Sequence, residues 1–105
     1  MPRRGPIRPE QVTRAFEALV GGHGIEEAAR SADVHVTTVA SWMGRGPSVA
    51  APGLPRHVPL IIAVDRARAG KSITDPLSDG ETVVAARMML AELESYLPVF
   101  KQIAA

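Results

Sequence analysis

The chain has no cysteine, few aromatic residues (one Trp, one Tyr and two Phe in 105 residues) and no long apolar run. Without cysteine it forms no disulfide and no thiolate metal site, a composition that fits a reducing compartment. No run approaches the roughly 20 apolar residues of a membrane span, and the Arg-rich start is not followed by an apolar signal core. We therefore expect a soluble cytoplasmic protein with a core of aliphatic side chains.

The formal net charge of +1 argues neither for nor against a polyanionic partner, but the charge is unevenly distributed. Residues 1–8 contain Arg3, Arg4 and Arg8, and no acidic residue precedes Glu10. A basic arm on a nearly neutral body is a recurrent means of holding a phosphate backbone. A solvated terminus without a partner is the alternative interpretation of the same residues.

The spacing of apolar residues predicts three helices in residues 9–46 and no strand. The first begins at Pro9, which suits the first turn of a helix, and ends at two consecutive glycines. The second covers residues 25–32 and the third covers residues 36–43, where Gly44 and Gly46-Pro47 are expected to stop it. These elements predict an all-α protein with a tri-helical core.

The rest of the chain divides into a loop and a helical C-terminal part. Residues 47–59 have the Pro- and Gly-rich composition of a loop. In residues 60–105, one helix is predicted to end at Gly70 and another to begin near Glu81. This C-terminal part either completes the core or forms a dimer.

The stretch "AARSADVHVTTVASW", from Ala28 to Trp42, sets two short helices on either side of a turn of about three residues, the size of a helix-turn-helix unit. Helices that cross at a steep angle need small residues where they approach, and the turn needs one residue in the left-handed region, where Asp is tolerated. We predict that the following residues build the unit: Ala28, Ala29, Asp33, Val34, Val39 and Trp42.

The segment "IEEAARSADVHVTTVASW" resembles the helix-turn-helix of phage repressor and Cro-type DNA-binding proteins. That pattern has Ala in its first helix, Gly four residues later and an apolar residue next. Here Ala29, Asp33 and Val34 occupy those places, so Asp33 departs from the usual Gly. The resemblance implies binding of double-stranded DNA in a bacterial cell or a phage-infected host, with the third helix in the major groove.

The resemblance also implies which residues contact DNA. Base edges are expected to be read by His35, Val36, Thr37, Ala40 and Ser41. Independently of the resemblance, charge and position suggest that the DNA backbone or the minor groove is held by Arg3, Arg4, Arg8, Thr38, Arg45 and Arg56. The base-facing residues can discriminate bases only weakly, because this set contains no Arg, Asn or Gln for a bidentate contact.

An apolar stripe with steps of three and four residues follows Glu81, the spacing of a coiled-coil seam. Its members are Val83, Ala86, Leu90, Leu93, Leu97 and Phe100. The stripe either packs on the core or pairs with a second copy as a dimer interface, and Pro98 must kink or restart the helix.

No enzyme, metal or nucleotide site is expected. Gly70-Lys71-Ser72 resembles the end of a phosphate-binding loop, but Asp65 stands where that motif needs another glycine. The histidines are dispersed, and the acidic residues Asp75, Asp79 and Glu81 are expected to cap a helix.

Three functions follow as hypotheses. The first is a sequence-specific transcriptional regulator, with no cofactor and with a possible homodimer as its working form. The second is a protein-interaction module, such as an antitoxin, anti-repressor or adaptor, that works through the C-terminal stripe. The third is a recombination directionality factor, which would share the DNA contacts and bend its site.

Overall fold

The computed structural model of the protein describes residues 6–94. It contains five helices, which we name α1 (Pro9–Val20), α2 (Ile25–Ala32), α3 (Val36–Arg45), α4 (Leu60–Arg68) and α5 (Asp79–Glu94). Between residues 6 and 94 the extended structure is limited to one isolated bridge, which joins Ala51 to Leu54. The prediction of an all-α fold is confirmed. None of these helices is long and apolar enough to cross a membrane.

One core joins α1 to α4 and the loop between α3 and α4. The small residues predicted at the α2–α3 crossing are buried, and α4 adds the largest fully buried side chain, Leu60. The buried residues of this cluster are Val12, Ala15, Leu19, Ala28, Ala29, Ala32, Val39, Trp42, Ala51, Leu54, Leu60, Ala63 and Val64. The part of the C-terminal region that completes the core is therefore α4.

The helix α3 is two residues longer than the sequence predicts. It continues through Gly44 to Arg45, and Gly46 ends it with a φ of 81°. Of the two predicted stops, Gly46 ends the helix and Gly44 does not. Glycine weakens a helix through its backbone entropy, but here Gly44 is buried where α5 packs against α3, and this packing holds the helical conformation.

The helix α5 begins at Asp79, two residues before the predicted position, because Ser78 and Glu81 cap it reciprocally. The Ser78 N–H donates to Glu81 Oε1 at 2.9 Å, and the Glu81 N–H donates to Ser78 Oγ at 3.2 Å. This arrangement is a capping box, which satisfies two donors that the first helical turn leaves open. The prediction of a capping role for Glu81 is confirmed.

A buried arginine attaches α5 and the preceding loop to α4. The Arg66 side chain donates to both carboxylate oxygens of Glu81, at 2.9 and 2.7 Å. It also donates to four backbone carbonyls of the loop, those of Ser72, Ile73, Asp75 and Pro76. A guanidinium matches a carboxylate in this two-pronged geometry and has donors left over for the carbonyls. Arg66 thus fixes where α5 starts.

We expect the stability of the protein to fall steeply in acid because of this pair. The hydrogen bonds from Arg66 and from the Ser78 N–H hold the pKa of Glu81 at about 2, below its ordinary value of 4.5. Since the folded-state pKa is the lower one, the stabilisation is complete above pH 4.5 and is lost as the pH falls towards 2. The measurement is the free energy of unfolding in urea across this range, for the wild type and for Glu81→Gln.

The difference in stability between the two proteins should shrink as the pH falls through this window. Asp79→Asn, which neutralises an exposed carboxylate in the same helical turn, is the control and should leave the pH dependence of the wild type in place. A difference between wild type and Glu81→Gln that does not change with pH would contradict the role of the ion pair.

The apolar stripe of α5 does not pack on the core. Ala85 is the only residue of α5 that is buried among those described, and it lies on the face towards α3. Four residues of the predicted stripe, Val83, Ala86, Leu90 and Leu93, are exposed to solvent. The two remaining members, Leu97 and Phe100, lie outside the described residues, as does Pro98.

Candidate nucleic-acid interface

The turn between α2 and α3 has the backbone conformation that the sequence predicts. Asp33 lies in the left-handed region, with φ 57° and ψ 47°. Its N–H donates to Arg30 O at 3.3 Å, and the Val34 N–H donates to Ala29 O at 3.0 Å, which closes the end of α2. The chain can then reverse and start α3 after a turn of only three residues.

The side chains inside this unit hold the two helices at their crossing. Ala28 and Ala29 are buried where α2 approaches its neighbours, and Val39 and Trp42 are buried on the inner face of α3. Val34 is half-buried and packs against the same cluster. All five apolar residues that the sequence assigns to the unit therefore contribute to its core, and the unit forms a packed support for the outer face of α3.

A buried glutamine that the sequence pattern does not reveal ties α1 to the turn. The Gln11 side chain accepts a hydrogen bond from the Arg8 N–H at 2.8 Å and donates one to Asp33 O at 3.3 Å. Buried polar groups are costly unless they are bonded, and this one is bonded at both ends. In the sequence, Gln11 resembles any polar residue of an exposed helical turn, so only the tertiary fold indicates its role.

The N-terminal end of α3 is the most accessible part of the helix. His35, Val36 and Thr37 are exposed, and Thr38 is half-buried. His35 caps the helix, because its Nδ1 accepts a hydrogen bond from the Thr37 N–H at 3.2 Å. In the neutral ring this leaves the proton on Nε2, which can donate to an outside acceptor. The capping role and the predicted contact role of His35 are therefore compatible.

The C-terminal end of the same face is covered by α5. Residue 44 lies one turn beyond Ala40 and two turns beyond Thr37, on the same side of the helix. A Cβ atom on Gly44 would lie 3.0 Å from the backbone nitrogen of Met89 and 3.2 Å from the carbonyl carbon of Met88. Ala40 and Ser41, between this crossing and the open end, are half-buried. The predicted base-reading face is thus open at its first turn and closed at its last.

The cationic residues predicted to hold the DNA backbone fall into separate groups. Arg45 forms an ion pair with Glu92 of α5, with 3.5 Å between Nε and Oε2, and its side chain remains 45% exposed. Arg56 is exposed in the loop that returns against the end of α3. Arg8 is exposed at the start of α1 and pairs with Glu10 at 2.9 Å. Arg3 and Arg4 lie outside the described residues.

An arginine on α2 that the sequence does not single out as a DNA contact lies beside the open end of α3. A shallow groove between the two helices is lined by Glu26, Ala29, Arg30, Val34, His35 and Val36. Arg30 is exposed, and its partner is Glu27, at 2.6 Å in the same helix. Such exposed pairs contribute little and exchange readily. Arg30 therefore places a guanidinium, with its fork of N–H donors, next to the predicted base-reading face of α3, which contains no arginine.

Groups that could support other chemistry have structural roles. Lys71 follows Gly70 and closes the end of α4, since its N–H donates to Arg66 O at 2.8 Å. Among residues 6–94 no group of three or more His, Cys, Asp or Glu side chains is arranged to hold a metal ion. The carboxylate of Glu81 is engaged by Arg66 and Ser78.

No protein-family model, curated protein or solved structure matches this chain. The function therefore has to be inferred from the geometry of residues 6–94 and from the chemistry of the side chains that they expose.

Proposed function

We propose that the protein is a sequence-specific double-stranded DNA-binding regulator of transcription. The observation that carries the proposal is the open first turn of α3, which follows a left-handed turn at Asp33 and is supported by a packed core. The whole segment from Val34 to Arg45 contains no acidic residue that would repel phosphates. A helix presented in this way can enter a major groove by its N-terminal end.

The covered end of α3 determines how the helix docks in this proposal. Because α5 crosses at Gly44, α3 enters the groove at an angle with Val36 and Thr37 leading, and does not lie along the groove. The Thr37 hydroxyl donates to His35 Nδ1 at 2.8 Å in the free protein, so its oxygen can accept from a base amino group, and the Val36 side chain packs on thymine methyl groups. Arg45 and Arg56, at the other end of the helix, lie within reach of the flanking phosphates.

Arg30 supplies the discriminating contact that α3 lacks. Its guanidinium lies at the groove beside His35 and Val36, and a planar fork of donors matches the O6 and N7 acceptors of guanine. Glu27 holds the guanidinium in the free protein by an exposed ion pair, so exchange of that partner for a base edge costs little. Arg30 is the residue from which we expect the largest share of base discrimination.

The test is a titration of the protein on a duplex that the protein itself selects from a random library, with a scrambled duplex as competitor. Arg30→Ala should reduce the preference for the selected duplex by about 1–3 kcal/mol. Arg30→Lys keeps the charge but loses the fork, so it should lose the preference and keep binding to the scrambled duplex.

The control is Arg14→Ala, which removes the same charge from an exposed position on α1. It should weaken both duplexes slightly and equally, as the loss of one distant positive charge predicts. Selection of no sequence from the library at micromolar protein would overturn the proposal. An enriched sequence that Arg30→Ala binds as well as the wild type would remove Arg30 alone from the contact set.

The exposed stripe of α5 favours a second candidate, a protein-interaction module. Val83, Leu90 and Leu93 are 49%, 57% and 44% exposed, which is unusual for three large apolar side chains on one helical face. In that function the helix-turn-helix is a scaffold for α5. Indifference to DNA combined with tight binding of another protein would favour it over the regulator.

A further inference from the structure

The helix α5 has two apolar faces, and only one of them has a partner within residues 6–94. Ala85, Met88 and Met89 lie towards α3. The described stripe residues lie on the solvent side of this contact. Val83 and Leu90 are two or five positions from both Ala85 and Met88, while Ala86 and Leu93, three and four positions from Met89, lie at the margin of the α3 contact. These stripe residues are Val83, Ala86, Leu90 and Leu93. Large apolar side chains exposed along one face mark a surface that associates with another.

The charged residues beside this stripe have a specific arrangement. Arg87 and Glu94 are both exposed, seven residues apart along one edge of the stripe. The other charges of α5 lie elsewhere, since Asp79 stands at the start of the helix, Glu81 pairs with α4 and Glu92 pairs with α3. The stripe is therefore flanked on one edge by one positive and one negative charge, in that order along the chain.

We propose that this face binds a second copy of the chain, with the two α5 helices antiparallel about a twofold axis midway along the stripe. In this register Val83 packs against Leu93 of the second copy, and Ala86 packs against Leu90 of the second copy. A small residue then faces a large one in the inner layers. The twofold axis repeats each contact, so Val83 of either copy packs against Leu93 of the other, and Ala86 of either copy packs against Leu90 of the other.

The charges select this register among the alternatives. Side chains in a helix lean towards its N-terminus. In the antiparallel pair, Arg87 of one copy and Glu94 of the other copy therefore lean towards each other. The twofold axis makes this contact occur twice. A shift of the register by one heptad would instead bring like charges together. A shift one way places the two Glu94 side chains next to each other, and a shift the other way does the same for the two Arg87 side chains. A parallel pair places Arg87 opposite Thr82 and Glu94 opposite Met89, so it forms no ion pair along this edge.

The pairing surface and the open end of α3 lie at different places on the molecule, because α5 meets α3 at Gly44, two turns beyond Thr37. The pairing does not depend on the proposed DNA binding, and it is measured without DNA. Its failure therefore leaves the regulator hypothesis in place, and failure of DNA binding leaves the pairing in place.

A charge exchange on the full chain tests the proposal. The variants are Arg87→Glu, Glu94→Arg and the double variant with both changes, and the measurement is sedimentation equilibrium from micromolar to millimolar concentration. Each single variant converts two attractions into two repulsions and should weaken dimerisation roughly tenfold or more. The double variant restores opposite charges and should recover the dissociation constant of the wild type.

Salt provides a second measurement on the same proteins. The dissociation constant of the wild type should rise between about 0.05 and about 0.5 M salt, while the repulsive single variants should show the opposite trend, because the Debye length shortens over this range. A wild-type chain that stays monomeric up to millimolar concentration would overturn the proposal. So would a dimer that both single variants form as well as the wild type, since that dimer would use another surface.

Discussion

Replacement of Gly46 by alanine is expected to destabilise the protein more than alanine at any other glycine of residues 6–94. A Cβ at this position would lie 2.5 Å from the carbonyl carbon of His57 and 2.6 Å from the backbone nitrogen and oxygen of Val58. These are backbone atoms of the loop that returns against the end of α3, so no side-chain rotation relieves the clash. With φ 81° and ψ 160° the residue is also in a region that is essentially restricted to glycine, where another residue costs about 1–3 kcal/mol.

The two effects add to a loss of roughly 2–6 kcal/mol, because overpacking against a backbone costs a further 1–3 kcal/mol. That loss is a large part of the stability of a small domain. The measurement is urea denaturation followed by the fluorescence of Trp42, the only tryptophan of the chain. Because Trp42 is 5% exposed, its emission should shift to longer wavelength when the core opens.

Gly53→Ala is the matched control. Gly53 has a similar φ of 74°, and a Cβ there would meet nothing within 4 Å. It should lose only the conformational part of the free energy of unfolding, about 1–2 kcal/mol. If the two variants lose the same amount, the close approach of the loop to the end of α3 contributes nothing and the interpretation of Gly46 is wrong.

Replacement of Gly44 by leucine is expected to separate α5 from α3. The two backbones approach so closely at Gly44 that a Cβ alone would lie 3.0 Å from Met89 N and 3.2 Å from Met88 C. Three further atoms cannot be placed there unless α5 moves away. The expected result is a loss of protection of the α5 amides in hydrogen exchange, to the level of a locally unfolded segment, while the amides of α1 and α2 keep most of their protection.

Gly44→Ala is the graded control for this change. It gains about 1 kcal/mol of helix propensity and needs only a few tenths of an ångström of adjustment, so α5 should stay in place. Loss of protection in Gly44→Leu that spreads evenly over all helices would show global destabilisation and contradict a local separation. Retained protection of α5 in the leucine variant would show that Arg66 and Glu81 suffice to hold it.

The separation also bears on the proposed DNA contact. With α5 displaced, Ala40 and Ser41 become exposed and the Arg45–Glu92 pair is broken. On the proposed function, Gly44→Leu should then increase the non-specific affinity for DNA, because Arg45 is released to a phosphate and a neighbouring carboxylate moves away. A titration of the variant and the wild type on the scrambled duplex measures this change directly.

Local pattern was sufficient for most of the helical framework. Apolar residues at steps of three and four predict α1, and the Pro and Gly residues predict the loop at 47–59. The small size of Ala28 and Ala29 predicts that α2 and α3 cross closely. The left-handed turn at Asp33 was also predictable, because few residue types tolerate that conformation and Asp is among them. These features depend on neighbours within a few residues in the chain, which is the range over which a sequence pattern is informative.

Long-range contacts decided the rest. The position of Gly44 inside α3, the bonds of Gln11 to the α2–α3 turn and the hydrogen bonds of Arg66 to Glu81 and the loop all join residues that are distant in sequence or in different elements. Each of these residues has an ordinary local interpretation, as a helix stop, a surface amide and a surface charge. Only the packing of α5 and of the loop before it, and the packing of α1 on the turn, assign them their roles.

Helix periodicity, residue size and backbone tolerance are local properties, so the order of residues was enough to predict the all-α class, the two short helices with their three-residue turn and the residues that build this unit. Three features became visible only in the packed molecule: which part of α3 is open, that Arg30 lies beside it, and that the stripe of α5 faces solvent. They could not be predicted, because an apolar or charged side chain has no preferred partner until the fold brings one within a few ångströms of it.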